Sequence, residues 1–373
     1  MPDPSDEDQY GWLYADSKKT STATQVSDDL PPPRLPPPGG PGGKGRGGNR
    51  TPDAPRKRRP IRKIIGVLFL AWIVFLVAVP IWAWGNISKV DAEPSTSRPG
   101  DQLGTNYLLV GSDSRRGLTK EQQKELATGG DTGGRGRTDT IMIMHVGKGP
   151  TLLMSIPRDS LVPIKGYGTT KINAAYAFGG PKLLISTLEA TTGLRIDKYV
   201  EVGFGGLVNV VDSLGGIQIC PKTDIKDKDA GLDITKGCKQ VDGKTALAYS
   251  RSRHTYITQD IQRVQSQREV LGAIAAKAKS PWTVINPFRY KSAASGASGS
   301  LQIGEDVSPI DLARFALNLS SAMSGDGLNC TIPLRDFAVH WDRTRALKMI
   351  GYIKNDQTSQ IGSLCTKDGL PKN

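Results

Sequence analysis

The sequence predicts an α/β fold: a central, mostly mixed sheet with helices on both faces, preceded by one transmembrane helix and a disordered N-terminal tail. Three observations predict it. Between Pro31 and Gly48, 14 of 18 residues are Pro or Gly, a composition that cannot bury enough apolar surface to fold. Between Ile64 and Trp84, 21 residues pass without a charge. From Thr105 onward, short apolar runs alternate with segments of helical periodicity, the pattern of a sheet covered by helices. The expected organisation is a disordered cytoplasmic tail over 1–63, a transmembrane helix over 64–84, a linker over 85–104 and one extracytoplasmic domain over 105–373.

As a helix, Ile64–Trp84 rises about 31 Å, close to the ~30 Å hydrocarbon core of a bilayer. Trp82 and Trp84 suit the interface, and Pro80 is tolerable near the end of such a helix. A signal peptide rarely begins some 60 residues into a chain, and no clean small-residue cleavage site follows. The flanks set the orientation. Lys44 to Lys63 holds nine Lys or Arg against one acid, whereas Gly85 to Gly104 holds two basic residues and three acids. The basic side stays cytoplasmic and the C-terminal part lies outside. Cys220, Cys238, Cys330 and Cys365 all fall beyond the anchor, in an oxidising location. Four cysteines allow three pairings; the expected one closes two short loops, Cys220–Cys238 and Cys330–Cys365.

The elements follow in order. NYLLV (Asn106–Val110) and TIMIMHV (Thr140–Val146) read as buried strands, and TLLMSI (Thr151–Ile156) follows across a Gly-Lys-Gly turn. KINAAYAFGGPKLLISTLEATTGL reads as two helices broken at Gly179–Gly180. YVEVGF, a short helix over Gly205–Leu214 and GIQIC give strand, helix, strand. Asp242–Ser250 and Ile261–Lys279 read as helices. From Pro281 to Ser300 the periodicity fades into Ser, Ala and Gly. Pro309–Met323 and Thr344–Ile353 read as helices again.

The net charge of +13 invites a nucleic-acid reading, which its distribution rejects. Residues 1–63 carry 12 basic and 8 acidic residues, net +4; the rest carry 37 and 28, net +9. An exported domain of charge +9 meets anionic wall polymers, lipid headgroups or phosphates rather than DNA. Three His and four widely spaced Cys exclude a zinc finger or CxxC redox site. There is no GxSxG, and His145, His254 and His340 lack an evident Ser or Cys partner, which disfavours a Ser triad. His145, at a strand end, reads as a satisfied core histidine. Gly237–Thr245 (GCKQVDGKT) has five residues between its glycines where a P-loop has four, and reads as a turn.

Four charged segments border the predicted elements. GSDSR places Asp113 and Arg115 at the carboxyl end of a strand, where open α/β sheets bind ligands. GRTDT places Arg137 and Asp139 at the mouth of the next strand. IPRDS places Arg158 and Asp159 just past a strand, fixed by Pro157. YSRSR carries Arg251 and Arg253, and Asp260, Arg263 and Gln267 follow, with Arg263 and Gln267 on one helix face. Each of these residues alone reads first as half of a surface ion pair. Together they suit a phosphate site: arginine forks grip phosphate oxygens, and carboxylates hold a magnesium ion that neutralises a pyrophosphate.

These motifs, LLVGSDSR, GRTDTIMIM, SIPRDS, KINAAYAFGG, VDSLGGI and ALAYSRSR followed by DIQRVQSQR, resemble those of the LytR-CpsA-Psr family of membrane-anchored cell-wall glycopolymer transferases. The resemblance runs from about Asn106 to Lys279. It implies a phosphotransferase that moves a wall glycopolymer with its phosphate from a polyprenyl pyrophosphate carrier onto peptidoglycan, at the 6-hydroxyl of N-acetylmuramic acid. By matching motifs, Asp113 and Asp139 would hold magnesium. Arg158, Arg251, Arg253 and Arg263 would act on the phosphates, with Asp113 the candidate base. Arg115, Arg137, Lys171, Asn173, Asp260 and Gln267 would contact substrate. The implied partners are the polyprenyl-pyrophosphate-linked polymer, peptidoglycan and membrane lipid, with no nucleic acid. LLISTL, FGGLVNVV and LGAIAA are candidates to line a prenyl slot, though ordinary core explains most such residues. A glycine-rich insertion, Leu118–Gly134, separates GSDSR from GRTDT, and the cysteines lie outside the general motif set. Competing readings are a polyprenyl pyrophosphate pyrophosphatase, in which water replaces the sugar hydroxyl, and a non-catalytic wall-binding or regulatory protein.

Overall fold

The structure, a computed structural model, describes residues 61–95, 97–114, 136–252, 259–336 and 340–371. Most of the tail, Arg115, the Leu118–Gly134 insertion and Arg253 lie outside the described residues, as does the side chain of Asp260. Among the described residues an apolar helix, α1 (Ile61–Gly85), comes first, and its Lys63–Gly85 stretch is long and apolar enough to cross a membrane. Seven strands then form the central sheet, in the order β1 (Ser88–Val90), β12 (Leu301–Gly304), β7 (Lys198–Gly203), β2 (Thr105–Ser112), β3 (Thr138–Val146), β4 (Leu152–Ser155) and β13 (Leu328–Thr331). β2 runs parallel to β7 and antiparallel to β3, β3 is antiparallel to β4, and β4 is parallel to β13. The sheet is therefore mixed, as expected.

Helices cover both faces, which is why β2 and β3 are apolar on successive residues instead of alternating with polar ones. Leu108, Val110, Ile141, Ile143 and Met154 point to one side. There they meet α2 (Ile172–Thr192) through Leu184 and Leu188, and α9 (Arg343–Lys354) through Met349, Ile350 and Ile353. Tyr107, Leu109, Met142, Met144 and Leu153 point to the other, against Phe315 and Ala322 of α8 (Pro309–Ser324). Gly180, at φ 66°, breaks the helical backbone inside α2, and Pro181 follows it, where the Gly-Gly pair predicted a break. His145 is buried as expected, with Nδ1 2.8 Å from Asn106 Oδ1 and Nε2 3.2 Å from Asp356 Oδ1.

A smaller apolar cluster sits beside the sheet. It is built by α3 (Phe204–Ser213), α4 (Gly243–Arg251), α5 (Gln259–Ala278) and four short strands: β8 (Ile217–Ile219), β9 (Ile225–Asp227), β10 (Leu232–Ile234) and β11 (Lys239–Val241). Cys220–Cys238 and Cys330–Cys365 are the disulfide pairs.

Four readings need correction. Pro281–Ser300 is helical, forming α6 (Pro281–Ile285) and α7 (Pro287–Ser300). Its small residues allow close packing on α3: a Cβ at Gly296 would fall 2.1 Å from Ser213 Oγ. GCKQVDGKT is no turn but strand β11 and the start of α4, whose N-cap Asp242 accepts from Thr245 N at 2.8 Å. LLISTL is ordinary core, with Leu184, Ile185 and Leu188 buried under the sheet. The linker over 85–104 contains β1, and its Arg98 is anchored on Glu189 at 2.8 Å.

Candidate active site

Antiparallel pairing of β2 and β3 brings GSDSR and GRTDT to the same end of the sheet. Asp113 N donates to Arg137 O at 2.9 Å, and Arg137 N donates to Asp113 Oδ1 at 2.5 Å. Gly136 makes this possible: its φ is 80°, and a Cβ there would fall 2.5 Å from Asp113 Oδ1. Because β4 is antiparallel to β3, IPRDS arrives at the same end. The Arg158 guanidinium pairs with the Asp139 carboxylate, and its Nε lies 3.6 Å from Asp159 Oδ2.

Behind Asp159 stands a hairpin, β5 (Leu161–Ile164) and β6 (Gly168–Lys171), ending in Lys171, whose Nζ lies 2.8 Å from Asp159 Oδ1. Burial pushes the Asp159 carboxyl up, but the Lys171 hydrogen bond and the charges of Arg158, Lys171 and Arg263 outweigh it, and its pKa ends below the usual carboxylate value. Asn173 contributes its backbone N, 3.2 Å from Arg158 O, which ties the start of α2 to this loop.

From the other side, α5 presents Arg263 and Gln267, four residues apart as expected. Both are buried, Arg263 at 1% exposure, and Gln267 Nε2 reaches Asp139 O at 3.4 Å. At the end of α4, the Arg251 guanidinium lies 5.1 Å from the ring centre of Phe204. A cleft opens here, between the ends of β2, β3 and β7 and helices α3, α4 and α5. Asp139, Arg251, Arg263 and Gln267 form its polar lining. Leu109, Val202, Phe204, Leu207, Leu247 and Leu271 line the rest, so FGGLVNVV and LGAIAA do contribute to an apolar slot. Asp113, Arg137, Arg158, Lys171 and Asn173 flank the cleft through the contacts above.

Sequence reasoning gave Asp159 no role, although it collects the three cations; the pairing with Lys171 spans twelve residues and a hairpin. It also missed Glu201 of β7. This buried carboxylate accepts from Ser112 Oγ at 2.6 Å, Tyr176 Oη at 2.8 Å and Tyr199 Oη at 2.6 Å. Burial and the Glu201 charge raise both tyrosines. Nothing local marks Glu201, since a carboxylate inside YVEVGF reads equally as a solvent-facing strand residue.

For magnesium, no group of three or more His, Cys, Asp or Glu side chains converges among the described residues. Among the described residues, Asp113, Asp139 and Asp159 stand at this end of the sheet, Asp139 paired with Arg158 and Asp159 with Lys171. Magnesium commonly takes one or two carboxylates and completes its octahedron with substrate phosphates and water, so this donor set fits the ion together with a diphosphate.

Residues 86–340 match the model of the LytR_cpsA_psr family. The chain belongs to this family. It is 45% identical over 295 residues to the probable cell wall biosynthesis protein LcpB of Corynebacterium glutamicum, covering 79% of this chain and 70% of that one. It is 35% identical over 273 residues to the polyisoprenyl-teichoic acid–peptidoglycan teichoic acid transferase TagU of Enterococcus faecalis, covering 70% and 84%. Among solved structures, the LytR-Csp2A-Psr enzyme from Actinomyces oris aligns with a TM-score of 0.57 at 21% identity, over 72% of this chain and 96% of that one. That likeness shows the shared fold. The family includes cell-wall polymer transferases such as the TagU relative, and this member carries a candidate membrane helix ahead of the family domain.

Proposed function

We propose that this protein transfers a wall glycopolymer, with its phosphate, from a polyprenyl pyrophosphate carrier to the 6-hydroxyl of N-acetylmuramic acid in peptidoglycan. The observation that carries the reading is the divided lining of the cleft: two arginines and a carboxylate on the one hand, six large apolar side chains on the other. A lipid phosphate has that division, and a hydrophilic wall polymer merely bound at a surface has no use for the apolar part.

In this reading the prenyl chain lies along Leu207, Leu247 and Leu271, and the pyrophosphate meets Arg251, Arg263 and Arg158. The acceptor hydroxyl oxygen attacks the phosphorus next to the polymer. The bond from that phosphorus to the bridging oxygen breaks, and polyprenyl phosphate leaves. The hydroxyl proton passes to Asp113, which the Arg137 backbone N–H holds at the strand end. Asp159 acts through its cations, holding Arg158 and Lys171 in place. Asp113 and Asp139 would hold magnesium, which supplies positive charge to the pyrophosphate oxygens as charge develops on the leaving group. The α1 helix anchors the domain with the cleft outside, where both lipid carrier and peptidoglycan are found.

The test uses the full chain in detergent, a short-chain polyprenyl pyrophosphate sugar, magnesium and a muramic-acid acceptor, with mass spectrometry of the products. A phosphodiester-linked product that vanishes on Asp139→Ala is expected. Release of polyprenyl phosphate without linkage would assign a pyrophosphatase instead.

A further inference from the structure

An apolar apex stands out on the side of the domain reached by α1. In α6 and the start of α7, Trp282, Val284, Ile285 and Phe288 are 59%, 40%, 63% and 85% exposed. These values match those of α1 itself, where Phe69, Val74 and Ile81 are 64%, 59% and 67% exposed. Two residues past Phe288, Tyr290 packs its ring 6.0 Å from Phe75 of α1 and donates its hydroxyl to Leu76 O at 3.0 Å.

Leu76 is not an arbitrary acceptor. It stands four residues before Pro80, which has no N–H, so the helical bond that would normally end on the Leu76 carbonyl cannot form. In hydrocarbon an unsatisfied carbonyl costs several kcal/mol, and proline persists in membrane helices where a neighbouring side chain takes over the freed group. Tyr290 takes it over here. Leu76 also lies nine residues before Gly85, about 13 Å along the helix at 1.5 Å per residue. The supporting hydroxyl therefore sits well below the Trp82 and Trp84 pair. On α1, Phe75, Leu76, Val79 and Ala83 are covered at spacings of one, three and four, the stripe expected of a helix packed along one side.

We propose that α6 and the first turn of α7 form a second membrane-inserted element, dipping into the outer leaflet beside α1. Lys279, Arg289 and Lys291 flank the apolar run and are exposed; their stems are long enough to carry charge up to anionic headgroups. The opposite end of α7 packs closely on α3: a Cβ at Gly206 would fall 2.5 Å from Ser300 O. Since Phe204 and Leu207 of α3 line the cleft, the element holds the cleft's apolar slot against the leaflet that supplies its lipid. The bilayer is favoured over a protein partner because the apex is continuous with a helix that must itself lie in lipid.

The proposal rests on α1 spanning the membrane, so the experiment reports on both. The full chain is reconstituted in lipid nanodiscs with single spin labels at Phe69→Cys, Ile285→Cys, Phe288→Cys and Leu347→Cys, the last exposed on α9. Accessibility to oxygen and to a water-soluble nickel chelate is compared. The labels at 285 and 288 are expected to follow 69, with oxygen strongly preferred. If 69 is in lipid while 285 and 288 behave like 347, the inserted element is refuted and the anchor stands; if 69 itself is wet, the anchor fails. Dipolar broadening between copies, with neither quencher admitted, would make the apex a self-association surface and also refute the proposal. A label-free check uses Tyr290→Phe, which should lower the thermal midpoint in nanodiscs, and Pro80→Ala, which restores the helical bond to Leu76 and should abolish that loss. Equal losses in both backgrounds would overturn the hydrogen-bond argument.

Discussion

Arg263→Lys separates a phosphate-gripping guanidinium from a merely positive one. Arg263 is 1% exposed, lines the cleft and contributes charge to Asp159. Lysine keeps the charge near Asp159 and Asp139 but loses the planar fork that binds two phosphate oxygens at once. Hydrogen bonds to charged groups contribute about 1.5–3 kcal/mol each, so losing one in the transition state lowers turnover by roughly 10- to 150-fold. Arg251 is half-buried and stacked on Phe204, a contribution of about 0.5–2 kcal/mol, so Arg251→Lys should cost less. The assay is formation of the linked product by the full chain, with kcat and KM separated and the thermal midpoint measured alongside. A fall in kcat at an unchanged midpoint is expected for Arg263→Lys. Wild-type kcat with a lowered midpoint would refute the reasoning and leave Arg263 as a structural cation of the core.

Leu207→Glu should block the apolar slot, raising KM for a long-chain donor several-fold while sparing a water-soluble short-chain donor; equal effects on both would remove the prenyl chain from this slot. Arg268→Ala should destabilise the fold by about 2–5 kcal/mol in denaturant unfolding, because it leaves a cavity and strips buried hydroxyl and carbonyl acceptors of their donor. Its guanidinium bonds Ser155 Oγ and Thr331 Oγ1 at 2.9 Å and the carbonyls of Lys367 and Cys330, tying β4 and β13 to the C-terminal segment. Acid should destabilise the domain in two stages. His145 is held below its ordinary 6.5 by burial, against the opposing pull of Asp356, so the unfolded chain takes up its proton first and stability falls as pH drops below that value. Asp159, also depressed, withdraws its contribution only below the ordinary carboxylate value of 3.8. His145→Gln should flatten the upper stage alone in thermal melts across pH; an unchanged profile would count against the histidine.

The legible parts of the molecule were those where one local pattern has one physical meaning. Asn106–Val110 and Thr140–Val146 are apolar on consecutive residues because both faces of the sheet are covered, and both were readable as buried strands. Asp113 just after one such strand and Asp139 at the start of the next pointed to one sheet end, and antiparallel pairing of β2 with β3 delivers both there. The Ser, Ala and Gly run before Ser300 misled for the opposite reason: small residues mark loops and tight helix packing alike, and only the presence of α3 decides between them. Strands of three or four residues, such as β1 and β12, carry too few residues for a period to show. The Tyr290 bond to Leu76 joins positions more than 200 apart and has no local signature.

The most direct test of transfer follows the phosphorus atom. The full chain is given a donor radiolabelled in the polymer-proximal phosphate, with magnesium and peptidoglycan fragments as acceptor. The account predicts label in the polymer–peptidoglycan product, bound through a phosphodiester, and unlabelled polyprenyl phosphate. Label left on the polyprenyl carrier would mean that the sugar–oxygen bond had broken, and label in a free polymer phosphate would mean hydrolysis; either result contradicts the transfer proposed here.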